Sequence, residues 1–313
     1  MEEKGLLLYL EVPFCPTHCA HCAKPAPEPR AEWRERYMEA LRRELRAQAG
    51  SLPDHRIEAV WVGGGIPGHM ADPQLGELLR ELPEWLPLAP DAEITLKVHP
   101  GMVSVDTLNL CRRGHVKRLS VEYVTRNSFE HENLGRFLAP DAMDTTGIVL
   151  GPSRLDLSFD VLTGLPGQTE GTLMETLGAV VRYGAGHISL YPLEMVPGTA
   201  LCRRWEREGE TLQKNLRKRL PGDDEKTAMA QAAGRYLTAH GFREYLPRRW
   251  AKPGRECRYF TLEQENTEVL GCGLGAVTVL DGVRSKNTGD LGKYLRFSNR
   301  PDRIIDSIEP VRA

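Results

Sequence analysis

Three of the chain's seven cysteines fall within eight residues, at Cys15, Cys19 and Cys22. They lie in the segment Tyr9-Leu-Glu-Val-Pro-Phe-Cys15-Pro-Thr-His-Cys19-Ala-His-Cys22, directly after an apolar run. Thiols separated by four and three positions on a short loop can converge as a tripod. A four-iron cluster normally takes four thiolates, so three leave one iron open. An open position separates a reactive metal site from a structural one. The same residues also allow a zinc site, with His18, His21 or a distant residue as the fourth ligand, or structural cysteines clustered by chance. Paired CxxC halves, which would favour zinc, do not occur around this group. Cys111, Cys202, Cys257 and Cys272 are scattered and read as small buried hydrophobes.

The elements that must position this loop are visible as apolar runs alternating with helical patterns. Strand-like runs are Leu6–Val12, Ala59–Val62, Glu93–Val98, Lys117–Val124, Leu155–Leu162 and His187–Leu193. Helix-like stretches lie between them, at Trp33–Gln48, Pro73–Leu82, Asp106–Arg112, Asn127–Leu134 and Thr169–Arg182. In the last, Thr169 and Thr172 are candidate N-caps, and Leu173, Leu177, Val180 and Val181 recur at helical spacing. Six strands separated by helices predict right-handed βα units around a parallel sheet. Six are too few for a regular eight-stranded barrel. The expected fold class is therefore α/β, a partial (β/α)6 TIM-type barrel over residues 1–200, with a doubly wound sheet as the alternative. After Pro197-Gly198 the chain becomes rich in Arg, Lys and Glu, then breaks into short Gly- and Pro-bounded pieces. Residues 201–313 are expected to form a small C-terminal α+β appendage. Loops at the C-terminal ends of barrel strands form the active face, which is where the cysteine loop falls.

Composition narrows the function. With 41 basic against 43 acidic residues the net charge is −2, so no phosphate-tracking field exists and nucleic acid is not the expected partner. No apolar run approaches the ~20 residues that cross a bilayer. The start, Met1-Glu-Glu-Lys-Gly, lacks the layout of a signal peptide. The expectation is a cytoplasmic protein with no membrane partner.

Several motifs in order carry a resemblance. The CxxxCxxC spacing follows a Tyr-x-x-x-Pro-Phe strand. Val62-Gly63-Gly64-Gly65-Ile66-Pro67 follows the second strand run, and Asp160-Val-Leu-Thr-Gly164-Leu-Pro166-Gly167-Gln168-Thr169 ends the fifth. Ser189-Leu-Tyr191-Pro-Leu193, Ala251-Lys-Pro253-Gly254 and Leu274-Gly275-Ala276 come later. Over most of its length the chain resembles the radical S-adenosylmethionine superfamily, and within it the oxygen-independent coproporphyrinogen III oxidase-like group. The resemblance implies that Cys15, Cys19 and Cys22 hold a 4Fe-4S cluster whose open iron chelates the amino and carboxylate groups of S-adenosylmethionine (SAM). It implies reductive cleavage to a 5′-deoxyadenosyl radical, fed by a reductant such as flavodoxin or ferredoxin. Cofactor contacts would come from Tyr9, His21, Gly63, Gly64, Gly65, Glu122, Arg136 and Asp160. Asp160 would serve the ribose hydroxyls, and Ala276 and Val277 would pass near the adenine.

Some positions depart from the family pattern. Ile66 stands where threonine is usual, Lys97 where glutamate is, Val124 where glutamine is, Glu122 where glycine is, and His21 where an aromatic residue is. Glu122 and Val124 share one strand face, and Lys97 lies on the preceding strand run. A Lys97–Glu122 ion pair is therefore expected, with Glu122 restoring the carboxylate lost at position 97. Lys24 replaces a further cysteine of the coproporphyrinogen oxidases. The run after Cys257-Arg258, which is Tyr259-Phe260-Thr-Leu-Glu263-Gln264, lacks the heme-chaperone signature. The substrate implied is tetrapyrrole-like or another small organic molecule. The rival reading is a non-catalytic relative that binds a cluster or heme.

Overall fold

The computed structural model describes residues 4–15, 17–24, 27, 30–52, 54–70, 73–136, 142–150, 153–265 and 268–311. Six parallel strands form its centre: β1 (Lys4–Val12), β2 (His55–Gly64), β3 (Leu88–Val98), β4 (Arg118–Val124), β5 (Asp156–Thr163) and β6 (His187–Pro192). They pair in sequence order, each with the next. Their even-sided residues, among them Leu6, Leu8, Leu10, Val60, Val62, Ile94, Leu96, Ile188 and Leu190, are buried in the main core. Helices α1 (Ala31–Gln48), α2 (Pro73–Trp85), α3 (Val105–Arg113), α4 (Ser128–Asn133), α5 (Ala142–Leu150) and α6 (Glu170–Arg182) separate the strands. The cap expected at α6 is a reciprocal box: Thr169 Oγ1 accepts from the Thr172 amide, and Thr172 Oγ1 accepts from the Thr169 amide. Five of these helices correspond to expected stretches; α5 does not.

The C-terminal region continues the same sheet at both edges. After α7 (Ala200–Gln213) and α8 (Asp223–Ala239), β8 (Arg249–Ala251) adds antiparallel to β6, and β7 (Arg243–Leu246) pairs antiparallel with β8 at the edge. Then β9 (Glu268–Cys272) adds parallel to β1, followed by β10 (Val277–Leu280), β11 (Val283–Asn287) and β12 (Ile305–Pro310). Between the last two strands lie α10 (Leu291–Phe297) and α11 (Pro301–Ile304). The order β12-β11-β10-β9-β1-β2-β3-β4-β5-β6-β8-β7 does not return on itself, so the barrel is open as expected.

A short helix, α9 (Arg258–Gln264), connects the two sheet ends. Its Tyr259 and Phe260 pack with Cys257 against the inward Leu7, Ala59 and Trp61 of β1 and β2. An aromatic plug from the C-terminal region thus fills the lumen beside β1 and β2. The inward faces of β3 to β6 are polar, with Thr95, Ser120, Ser158, Asp160, His187 and Ser189 buried there. Among the described residues, no helix is long and apolar enough to cross a membrane.

Candidate iron–sulfur and cofactor site

The cysteine loop leaves β1 at Val12 and is held by backbone bonds to three elements. Ile66 N donates to Phe14 O at 2.9 Å, Ala20 N to Leu134 O at 2.8 Å, and Leu201 N to Ala20 O at 2.7 Å. Gly65 allows the first of these: a Cβ there would lie 2.4 Å from Phe14 O. Gly64 has φ +92°, and its absent Cβ makes room for the Glu11 carboxylate. The passage of the cysteine loop over β2 thus accounts for Gly65, the Glu11 side chain of β1 for Gly64, and the Trp61 indole for Gly63. Lys24 fixes the far end, donating to Tyr9 Oη at 2.9 Å and Glu11 Oε2 at 3.1 Å.

Cys15, Cys19 and Cys22 are half-buried free thiols that line one cavity of about 420 Å3. Tyr9, His21, Gly64, Gly65, Ile66, Lys97, Glu122, Val124 and Asp160 line it too. The strand residues among them come from the C-terminal halves of β1 to β5. Val124 holds φ +67°, a strained backbone for a β-branched residue, beside a register shift that turns it into the cavity.

The polar wall is a chain of contacts. Arg136 Nη1 donates to Cys19 Sγ at 3.2 Å and to Glu122 Oε1 at 2.8 Å. Glu122 Oε2 faces Lys97 Nζ at 3.2 Å, so the expected ion pair is present. Lys97 also stands 3.9 Å from Asp160 Oδ2, to which Ser120 Oγ donates at 2.9 Å. Burial alone would raise the Glu122 pKa, but Lys97 and Arg136 hold it down to about 2. Burial, followed by Glu122, pushes the Cys15 thiol up to about 12. Burial also raises Cys19, against the pull of Arg136. Burial therefore favours the protonated thiol at Cys15 and Cys19, and a metal that binds them must displace those protons.

The donor set suits a cluster: three thiols open onto one cavity, and a guanidinium donates to one of them. A single ion would gather the three sulfurs onto itself. A cubane instead gives each thiolate its own iron. The guanidinium on Cys19 suits the negative charge that thiolates bring. Asp160 Oδ1 and His21 Nδ1 are buried without hydrogen-bond partners among the described residues, and such atoms at a cavity wall are open to a ligand.

Other expected residues lie elsewhere. Arg136 sits behind Glu122, and Gly63 does not line the cavity. The structure does not bring Ala276 and Val277 here, because they follow β9 on the outer side of β1. They line a neighbouring cavity of about 600 Å3 that shares Tyr9, Lys24, Tyr259 and Glu263 with the first. Trp61, Tyr191, Tyr259, Phe260 and Glu263 form the aromatic and acidic side of the cysteine cavity and were not foreseen. Only the alternation of Trp61 and Tyr191 with core residues on their strands could have flagged the first two.

No family model matches the chain. The heme chaperone HemW of Mycobacterium tuberculosis is 30% identical over 275 residues, spanning 86% of this chain and 68% of that protein. Anaerobilin synthase of Escherichia coli O157:H7 is 28% identical over 289 residues, spanning 91% and 63%. The solved structure of HemN, the Escherichia coli coproporphyrinogen III oxidase and a radical SAM enzyme, matches with TM-score 0.82 at 21% identity, over 99% of this chain and 73% of that one. The chain therefore belongs to the radical SAM superfamily, in its oxygen-independent coproporphyrinogen III oxidase-like group.

Proposed function

We propose that the chain is a radical SAM enzyme acting on a tetrapyrrole-like or other small organic substrate. In this reading residues 1–200 form the cofactor-handling core, and residues 201–313 form an accessory region that walls the cavity with α9. Cys15, Cys19 and Cys22 hold the 4Fe-4S cluster, which when bound supplies an electron to SAM and a carbon radical. Asp160 offers its free oxygen to ribose hydroxyls. Gly64 and Gly65 present backbone, with Tyr9 and His21 close by, and Gly63 supports them from β2. The aromatic side made by Trp61, Tyr259 and Phe260 excludes water from the reacting region. The neighbouring cavity, with Ala276, Val277, Arg284 and Lys286 in its wall, is the entry for a substrate with an apolar body and acidic groups. The observation that carries the reading is the convergence of the three thiols and the half-satisfied, buried Asp160 on one cavity.

Reconstitution with iron and sulfide under anaerobic conditions tests it, followed by dithionite and SAM. The expected result is a brown protein with about four irons per chain that releases 5′-deoxyadenosine. A colourless protein holding one zinc would refute the cluster.

One observation favours a second reading, a cluster- or heme-binding relative without turnover. Glu122 already engages Lys97 on the cavity wall and Arg136 behind it, so both cations are committed. The chaperone name of the Mycobacterium tuberculosis relative supports the same reading. A reconstituted cluster with intact SAM after hours of reduction would decide for it.

A further inference from the structure

Arg136 has a side chain only 2% exposed and donates to Cys19 Sγ at 3.2 Å, which sets the guanidinium at the edge of whatever the thiols hold. The nitrogen that makes this bond also donates to Glu122 Oε1 at 2.8 Å. The other Glu122 oxygen faces Lys97 at 3.2 Å. A carboxylate of the protein thus occupies two of the cations beside the thiol loop, while Lys24, the cation at the loop's far end, is held by Glu11. SAM is an amino acid at one end, and it brings a carboxylate of its own.

We propose that Glu122 is a built-in competitor for the ligand's carboxylate, so that recognition at Arg136 requires Glu122 to let go. The proposal rests on the cofactor reading above and deepens it. If the competent state is reached only when Glu122 swings away, the apparent affinity falls in proportion to the population of that state. Glu122 then sets how strongly the cavity prefers nucleotides that carry an α-amino acid over those that lack the acid.

A ratio of affinities tests this. Cluster-loaded wild type, Glu122→Ala and Glu122→Gln are titrated anaerobically with SAM and with decarboxylated SAM, which keeps the sulfonium and adenosine. Dividing the two dissociation constants cancels the altered charge felt by the sulfonium. The preference for SAM is expected to rise about tenfold in Glu122→Ala, equivalent to about 1.4 kcal/mol. It should rise less in Glu122→Gln, which keeps the side chain's volume but weakens its grip. Iron content and unfolding midpoint are measured on each protein, so a misfolded alanine variant leaves the glutamine variant to decide. An unchanged ratio in both variants overturns the proposal while SAM binding upholds the cofactor reading. Cluster-loaded proteins that bind neither nucleotide overturn both.

Discussion

Strands β3, β4 and β5 each carry two charged residues four positions apart on the inward face: Glu93 and Lys97, Arg118 and Glu122, Asp156 and Asp160. Two charged layers result, with the buried hydroxyls of Thr95, Ser120 and Ser158 between them. Backbone covers the lower layer, although Arg118 Nε has no hydrogen-bond partner among the described residues. Arg118, with a side chain 1% exposed, donates to Glu93 Oε2 at 2.9 Å and to the carbonyls of Glu256 at 2.9 Å and Arg255 at 3.2 Å. Asp156 stands 3.7 Å away. The segment leading into α9 supplies those carbonyls, so this layer clamps the plug to the sheet. The upper layer has the same kinds of residue but faces a cavity, and Asp160 keeps an unpartnered oxygen. Similar charges on the same strands make a structural clamp where backbone covers them, and a cavity wall where it does not.

The largest effect that tests this contrast is Arg118→Met. It strips two carboxylates and two carbonyls of a buried cation and is expected to cost about 3–5 kcal/mol in urea unfolding. Lys97→Met in the upper layer is expected to cost only about 1.5 kcal/mol, because Glu122 keeps Arg136 and Asp160 keeps Ser120. Equal losses for the two variants would remove the distinction between clamp and cavity wall.

The contrast also marks what the residues alone reveal. The six parallel strands are legible because β-branched and aliphatic runs recur between helical patterns. The Lys97–Glu122 pair is legible because strand alternation puts both on inward faces of neighbouring strands. The hold of Arg136 on Glu122 is not, since it depends on how the segment after α4 folds back onto β4. Helix α5 is hidden because Ala142–Leu150 combines Thr145, Thr146, Gly147, Ile148 and Val149 without a polar–apolar period. The lumen plug is hidden for a different reason. Phe260 meets Trp61 with ring centroids 4.8 Å apart, across about two hundred residues of chain, and no local pattern encodes such a contact. The departure of Tyr259-Phe260 from the chaperone pattern is visible in the sequence, but its place inside the barrel is not.

The smallest expected effect comes from the hydroxyl layer itself. Ser120→Ala removes a hydrogen bond to Asp160 and should cost about 1 kcal/mol at pH 8. Burial raises the Asp160 pKa above its ordinary value, while Lys97 and then Ser120 pull it down. A carboxyl group whose folded pKa is raised favours the folded state at low pH, and that advantage is lost as pH rises through the folded value. Ser120 stabilises the ionised form, so its removal raises the folded pKa further and deepens the loss above it. The deficit of Ser120→Ala relative to wild type should therefore be smaller at pH 4 than at pH 8. Urea unfolding of both proteins at the two pH values measures it. A deficit equal at both, or larger in acid, would mean that Asp160 is not charged in the folded protein and that the upper layer is no more electrostatic than its hydroxyl neighbours.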